Sequence, residues 1–274
     1  MEPVFRVVVI VLGVLIALAA LGWLGLNIPP RPFPAYPQPT PELTTVPLPA
    51  DLPEPVARYY RLVFGDRAPL ITSAVISGRA SVRPAGPTLP ARFRFTHQAG
   101  QNYRHYIEVT FFGLPVMKVN EHYIDGQARF ATPGGLVENE PKIDMAANLG
   151  LWGESVWLPS IFVTDPRVRW EAVNATTARL IVPFGETEEA FSVTFDPDSG
   201  LMRYAEALRY REATDEEKIL WRIEPLGWQR LHGVLIPTPA AVIWMDQGTP
   251  WAIFSIEEVV YNVDVSDYIR ATGP

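Results

Sequence analysis

The chain opens on an unbroken apolar run. Val7 to Ile28 covers 22 positions without a charged residue, and only Asn27 among them is strongly polar. As a helix this run would be about 33 Å long, enough to cross a hydrocarbon core of about 30 Å. Trp23 would then fall near the far interface, where an amphipathic ring is favoured. The pattern predicts a transmembrane anchor over residues 1–28. A cleaved signal peptide is the alternative, since Ala17-Leu18-Ala19 offers small residues at suitable spacing. Apolar sequence nevertheless continues through Leu21, Trp23, Leu24 and Leu26 beyond that cut. A short N-terminus carrying Arg6 predicts that this end is cytoplasmic and that the remainder lies outside.

The pattern changes abruptly at Pro29. Eleven of the 27 residues from Pro29 to Pro55 are proline, a composition that favours polyproline II and a semi-rigid spacer. Residues 29–52 are expected to be a stalk, with a ligand for a proline-binding module as the alternative. Pro53-Glu54-Pro55 then opens a predicted helix, with Val56, Tyr59, Tyr60 and Val63 on one face and Gly65 at its end.

Beyond that helix the period falls to two. Ile71 to Val82 alternates in part. Ala91 to Phe95 alternates cleanly, its arginines opposite the aromatic face, and Gln101 to Thr110 continues. Val116 to Val119 and His122 to Ile124 lead to Asp125-Gly126, a hairpin signal, and Pro133-Gly134-Gly135 marks another turn. Lys142 to Phe162 interrupts the series with one or two predicted helices. Strands resume at Val168–Ala172, Ala178–Val182 and Ala190–Phe195, before a tight turn at Asp196-Pro197-Asp198-Ser199-Gly200. Leu201–Arg211, Lys218–Glu224, Trp228–Leu231, Ala241–Met245 and Ala252–Val263 complete the series. Many strands joined by short turns predict a mainly β (α+β) domain over residues 53–274. Its expected form is a large curved antiparallel sheet or half-barrel packed on one or two helices.

Composition narrows the function classes. The formal charge is −7, and Glu2 and Arg6 cancel, so all of it belongs to the part beyond the anchor. Only three lysines are present, Lys118, Lys142 and Lys218. An acidic domain of this kind lacks the basic footprint of a nucleic-acid binder. With no cysteine in the chain, disulfides, thiolate chemistry, cysteine zinc sites and N-terminal lipidation at a cysteine are all ruled out.

Catalytic and cofactor patterns are equally sparse. The four histidines, His97, His105, His122 and His232, show no His-x-x-His or His-Glu-x-x-His spacing. His97 and His105 could face each other across a hairpin with Glu108 near, a conceivable metal corner, although sheet histidines without a metal are the plainer reading. Gly-x-Ser-x-Gly does not occur; Gly153-Glu154-Ser155-Val156-Trp157 is the nearest string. Glu186, Glu188 and Glu189 read as a solvated turn, and Asp196 with Asp198 as a hairpin turn lacking a calcium loop's distal Glu. No catalytic, metal or cofactor residue is assigned on these grounds. Trp152, Trp157, Trp170, Trp221, Trp228, Trp244 and Trp251 are spread through the predicted helices and strands. They either fill the core or line an apolar cavity inside the curved sheet.

Several strings occur in a recognisable order. They are Leu52-Pro53-Glu54-Pro55-Val56-Ala57-Arg58-Tyr59, Glu154-Ser155-Val156-Trp157-Leu158-Pro159, Asp198-Ser199-Gly200, Arg209-Tyr210-Arg211, Trp221, Gly233-Val234-Leu235-Ile236-Pro237 and Trp244. In these the chain resembles a bacterial family of unknown function, the domain-of-unknown-function group 6544/6920, over nearly the whole domain. It departs from that pattern at Leu149-Gly150-Leu151-Trp152, where family members often carry an Arg-Tyr pair. The resemblance implies no activity. Its strand-rich pattern is similar to the half-barrel of periplasmic lipoprotein carriers, which cradle acyl chains, a likeness of fold alone. Glu154 and Arg209 fall in matching strings beside aromatic residues. They are expected to form a structural ion pair or, with Trp157, Trp221 and Trp244, to bind the head group of a ligand.

Three readings follow. The first is a membrane-tethered extracytoplasmic module for an apolar ligand such as a lipid, which requires an interior cavity of several hundred Å³. An envelope scaffold is the second, requiring a large exposed apolar patch. The third, a hydrolase, requires Glu154, His97 and His105 in one cleft.

Overall fold

In the computed structural model, residues 2–84, 86–132 and 134–272 are described. Pro133, the first residue of one expected turn, lies outside them. Helix α1 (Glu2–Asn27) is the apolar N-terminal run. Among the described residues it is the one helix long and apolar enough to cross a membrane. Its end packs on the domain. Gly25 is buried against the rings of Phe111 and Phe112, and the Phe112 N–H donates to the Gly25 carbonyl at 2.8 Å.

Among the described residues, thirteen strands form one antiparallel sheet. The first six are β1 (Ser73–Val82), β2 (Leu89–Gln98), β3 (Asn102–Phe111), β4 (Leu114–Ile124), β5 (Gln127–Thr132) and β6 (Gly135–Glu138). The other seven are β7 (Arg169–Asn174), β8 (Thr177–Phe184), β9 (Thr187–Phe195), β10 (Met202–Arg209), β11 (Ile219–Pro225), β12 (Ala240–Trp244) and β13 (Pro250–Tyr261). Their spatial order is β6-β5-β4-β3-β2-β1-β13-β12-β11-β10-β9-β8-β7. Every neighbouring pair is consecutive in sequence except β1 and β13, which join two meanders into one sheet. The turn at Asp125-Gly126 connects β4 to β5 with both residues at positive φ, 52° and 83°, the conformation that this dipeptide favours in tight hairpins. Short ribbons, Thr45–Pro47 with Arg67–Pro69 and Trp228–Leu231 with Val234–Pro237, lie beside the sheet. The second half of the latter was not expected as a strand.

Helices fill the concave side. Helix α2 (Glu54–Phe64) buries Val56, Tyr59, Tyr60 and Val63, the face read from the sequence. Each such side chain contributes about 1.5–3 kcal/mol of burial. Its opposite face holds Arg58, which donates to the carbonyls of Pro197 and Asp198 at the β9–β10 turn. The middle helical segment resolves into α3 (Pro141–Glu154), a 3₁₀ turn at Ser155–Trp157 and α4 (Ile161–Thr164). These occupy the chain between the two sheet edges, and α3 bridges β4 and β5 on one wing to β8 and β10 on the other. The main core lies between this layer and the inner faces of the strands.

Residues 29–52, read above as a spacer, lie along the domain at several points. Phe33 and Tyr36 are buried there. Tyr36 packs with Val75, Val260, Val263 and Val265, and its hydroxyl donates to the Asp264 carbonyl at 3.1 Å. Arg92 and Arg94, on the face opposite Phe93 and Phe95, lie over the Phe33 ring at 4.3 and 5.3 Å. Arg92 donates to the Arg31 carbonyl, and Arg94 to that of Pro34. Proline-rich backbone has few N–H groups for a ladder, so its free carbonyls suit these outward arginines.

Candidate functional site

Parity along a strand decides which polar residues meet. His105 and Glu108 are three positions apart on β3 and face opposite ways. Glu108 pairs outside with Arg92 at 2.6 Å and accepts from the Tyr106 hydroxyl at 2.8 Å. The expected corner of His97, His105 and Glu108 therefore does not form. In its place, Glu154 at the C-terminal end of α3 reaches both histidines. Its Oε2 lies 2.5 Å from His105 Nε2 and 3.3 Å from His97 Nε2.

His105 is held tightly. Its ring stacks between Phe95 and Tyr103, with centroids at 4.0 and 4.1 Å. Its Nδ1 faces Glu121 Oε1 at 3.5 Å, from the strand position directly opposite on β4. Tyr103 donates its hydroxyl to the same Glu121 oxygen. Burial works against a charge on His105, but Glu154 and Glu121 outweigh it and raise its pKa to about 9. Burial likewise works to raise Glu154, yet His105 and His97 hold it down at about 2. His97 is fully buried and its pKa is lowered, first by desolvation. Its Nδ1 has no hydrogen-bond partner among the described residues, and its Nε2 has only the 3.3 Å contact with Glu154.

Beside this cluster lies a cavity of about 80 Å³. His105, Glu121, Glu154 and Arg209 make its polar lining, and Phe95, Trp157, Trp221, Trp251 and Phe254 its aromatic one. Gly150 and Gly153 present the side of α3 that faces it. A Cβ on Gly153 would stand 2.7 Å from the Trp221 ring and 2.7 Å from Ile223 Cδ1, so glycine permits this close crossing. Arg209 lies over the Trp221 and Trp244 rings at 4.5 and 5.5 Å. Burial pushes its pKa below the usual guanidinium range. Its Nε has no partner among the described residues, and neither do the indole N–H groups of Trp221 and Trp251.

Of the residues singled out from the sequence, Glu154, Trp157, Arg209 and Trp221 line this one cavity, whereas Trp244 supports Arg209 from outside it. The expected ion pair of Glu154 with Arg209 is not among the described ion pairs, because the carboxylate is engaged by the histidines. Trp157 spends its indole N–H on the Pro237 carbonyl at 3.0 Å. Glu121 and Tyr103 were missed. The alternation of β3 and β4 assigns each to a face, but no local signal pairs position 121 with position 105.

The fold and cavity define a mainly β domain with a buried polar cluster and an N-terminal apolar helix. The chain belongs to the family of unknown function DUF6544, whose profile matches residues 42–256. No curated protein matches it. Three solved structures share a general likeness of shape. A DUF1329 family protein from Desulfovibrio piger is 12% identical, with 72% of this chain and 88% of that chain covered and a TM-score of 0.40. A putative outer membrane lipoprotein-sorting protein domain from Vibrio parahaemolyticus is 9% identical, covering 78% and 92%, with a TM-score of 0.42. A LolA superfamily protein from Nitrosomonas europaea is 7% identical, covering 80% and 96%, also at 0.42. At such identities and superpositions the likeness carries no inference about a ligand.

Proposed function

We propose that this protein is a membrane-tethered, extracytoplasmic binding module for a small amphipathic molecule with an oxygen-rich head. One observation carries the reading. Arg209, Trp221 and Trp251 line a single cavity, and each holds a buried N–H donor without a partner. Buried donors of this kind are satisfied by acceptor oxygens, and carboxylate, phosphate and ester groups supply them. The aromatic rings on the remaining wall accommodate the apolar part. A volume of about 80 Å³ falls short of the several hundred Å³ of a drug-sized ligand site. The site therefore takes a head group or a short molecule rather than a whole acyl chain, which is narrower than a lipid-carrier role. Glu154, His97 and His105 do meet in one place, as the hydrolase reading requires; no Ser, Thr or Cys lines the cavity among the described residues, which disfavours only hydrolysis through a side-chain nucleophile.

Tethering is supported by α1 and by the β3–β4 hairpin on which it ends. That hairpin exposes Leu114 and Val116 at 68% and 64% beside the end of the apolar run. Both features suit contact with one lipid surface.

The test uses full-length Trp23→Phe protein in nanodiscs, so that Trp fluorescence reports mainly the domain. Saturable spectral change with hexanoate, absent with hexylamine and weakened at least about tenfold by Arg209→Met, is expected from loss of a charged hydrogen bond. No saturable change, or equal binding of the amine, overturns the reading.

A second reading, an envelope scaffold, draws on the outer face of β7–β11. There Val173, Leu208 and Leu220 are exposed in an open groove of about 530 Å³ rimmed by Arg169, Glu188, Glu189 and Lys218. Charge reversal at Lys218 would then abolish capture of an envelope partner while leaving hexanoate binding intact.

A further inference from the structure

We propose that His97, His105 and Glu154 bind one first-row divalent cation of the zinc class, with a further coordination position open to the cavity. Each residue offers one ligand atom, and the three atoms lie within 4.8 Å of one another. Two imidazoles and a carboxylate form a donor set suited to zinc, cobalt or ferrous iron rather than to calcium or magnesium, which prefer oxygen shells. In a tetrahedral shell with bonds of about 2.0–2.1 Å, ligand atoms stand about 3.3 Å apart. His97 Nε2 and Glu154 Oε2 are already 3.3 Å apart. His105 Nε2 and Glu154 Oε2, at 2.5 Å, need to separate by about 0.8 Å to match that shell. A rotation of the Glu154 side chain toward the cavity it lines would supply this movement.

Two further observations point the same way. The second nitrogen of His105 faces Glu121, the arrangement in which a carboxylate orients a metal-ligating imidazole, and Tyr103 fixes Glu121 in turn. His97 is fully buried with no hydrogen-bond partner at Nδ1 among the described residues and only the 3.3 Å contact with Glu154 at Nε2, and an ion is one of the few ways to satisfy such a group fully. Charge also balances. Glu121 and Glu154 oppose Arg209 and a divalent ion, leaving one positive charge for an anionic head or a hydroxide at the open position. The rival occupant is a proton shared between His105 and Glu154.

The site adjoins the cavity proposed above for an amphipathic ligand but does not depend on that reading. Metal uptake is measured with no amphiphile present, so either proposal can fail alone. Tag-free full-length protein in detergent is stripped with chelator and titrated with Co²⁺, then with Zn²⁺. One Co²⁺ per chain, with visible d–d absorption displaced by Zn²⁺, is the expected result. Glu154→Gln and His105→Gln abolish stoichiometric uptake. Glu121→Gln, at a positioning residue, weakens it about 10- to 100-fold, and His232→Gln leaves it unchanged. If Glu154→Gln fails to fold, a Zn²⁺-dependent rise in the wild-type melting temperature, reduced in Glu121→Gln, carries the test. A folded wild type that takes up no stoichiometric metal, or uptake unchanged in a folded Glu154→Gln, overturns the proposal.

Discussion

Glu154→Gln removes one negative charge from a buried cluster while keeping the shape of the side chain. His105 is displaced from 6.5 to about 9, with burial opposing and Glu154 and Glu121 favouring the charge. That difference, 9 − 6.5 = 2.5, corresponds to about 3 kcal/mol at 1.36 kcal/mol per unit. Glu154, displaced from 4.5 to about 2, gives the same difference. The two share the His105–Glu154 interaction, with Glu121 acting further on His105 and His97 on Glu154, so they are not added. Glu121 shares the effect on His105, so the part that belongs to Glu154 is smaller than this difference. His105 is raised, so its contribution is complete below pH 6.5 and disappears as pH climbs through about 9. Glu154 is lowered, so its contribution is present above pH 4.5 and is lost as pH falls through about 2. Urea denaturation of chelator-treated full-length protein in detergent, followed by Trp fluorescence, reads both effects. At about pH 6, Glu154→Gln should be less stable than wild type by up to about 3 kcal/mol, and the gap should close toward about pH 9.5. Parallel pH profiles for the two proteins would refute the reasoning.

Gly153→Ala places a Cβ 2.7 Å from both Trp221 and Ile223, and this overpacking should cost about 1–3 kcal/mol in the same denaturation assay. The chain has no cysteine, so Leu114→Cys labelled with an environment-sensitive dye reports its position directly. A blue shift in vesicles relative to detergent-free aqueous fragments of the labelled hairpin is expected, and a label that stays water-exposed would remove the hairpin from the membrane. Tyr36→Ala loses a buried ring and its bond to Asp264, so cleavage within residues 29–44 by proteinase K should accelerate. The cost of roughly 3 kcal/mol for such a ring corresponds to a rate increase of about 100-fold if opening is local.

Local chemistry determined much of this protein from its sequence. The apolar run of α1, the Tyr59/Tyr60 face of α2, the Asp125-Gly126 turn and the alternation of Phe93 and Phe95 with Arg92 and Arg94 depend on residues within a few positions of one another. Periods of 3.6 and 2 assign such residues to a face without knowledge of the partner. The proline-rich stretch was less legible, because composition reports its stiffness and not the two aromatic residues, Phe33 and Tyr36, that seat it on the sheet. The candidate site was legible only in pieces. Glu154, Trp157, Arg209 and Trp221 were singled out, but Glu108 was paired with the wrong face and Glu121 was passed over. Glu154 meets His105 across 49 positions of chain, where α3 crosses the curved sheet between its two edges. That crossing is set by sheet curvature, strand register and the space left by Gly150 and Gly153, quantities that arise only when the whole sheet closes around the helix. Sequence alone fixes which side of each element a residue occupies; the tertiary structure decides which of those sides face one another, because their separation depends on every strand between them.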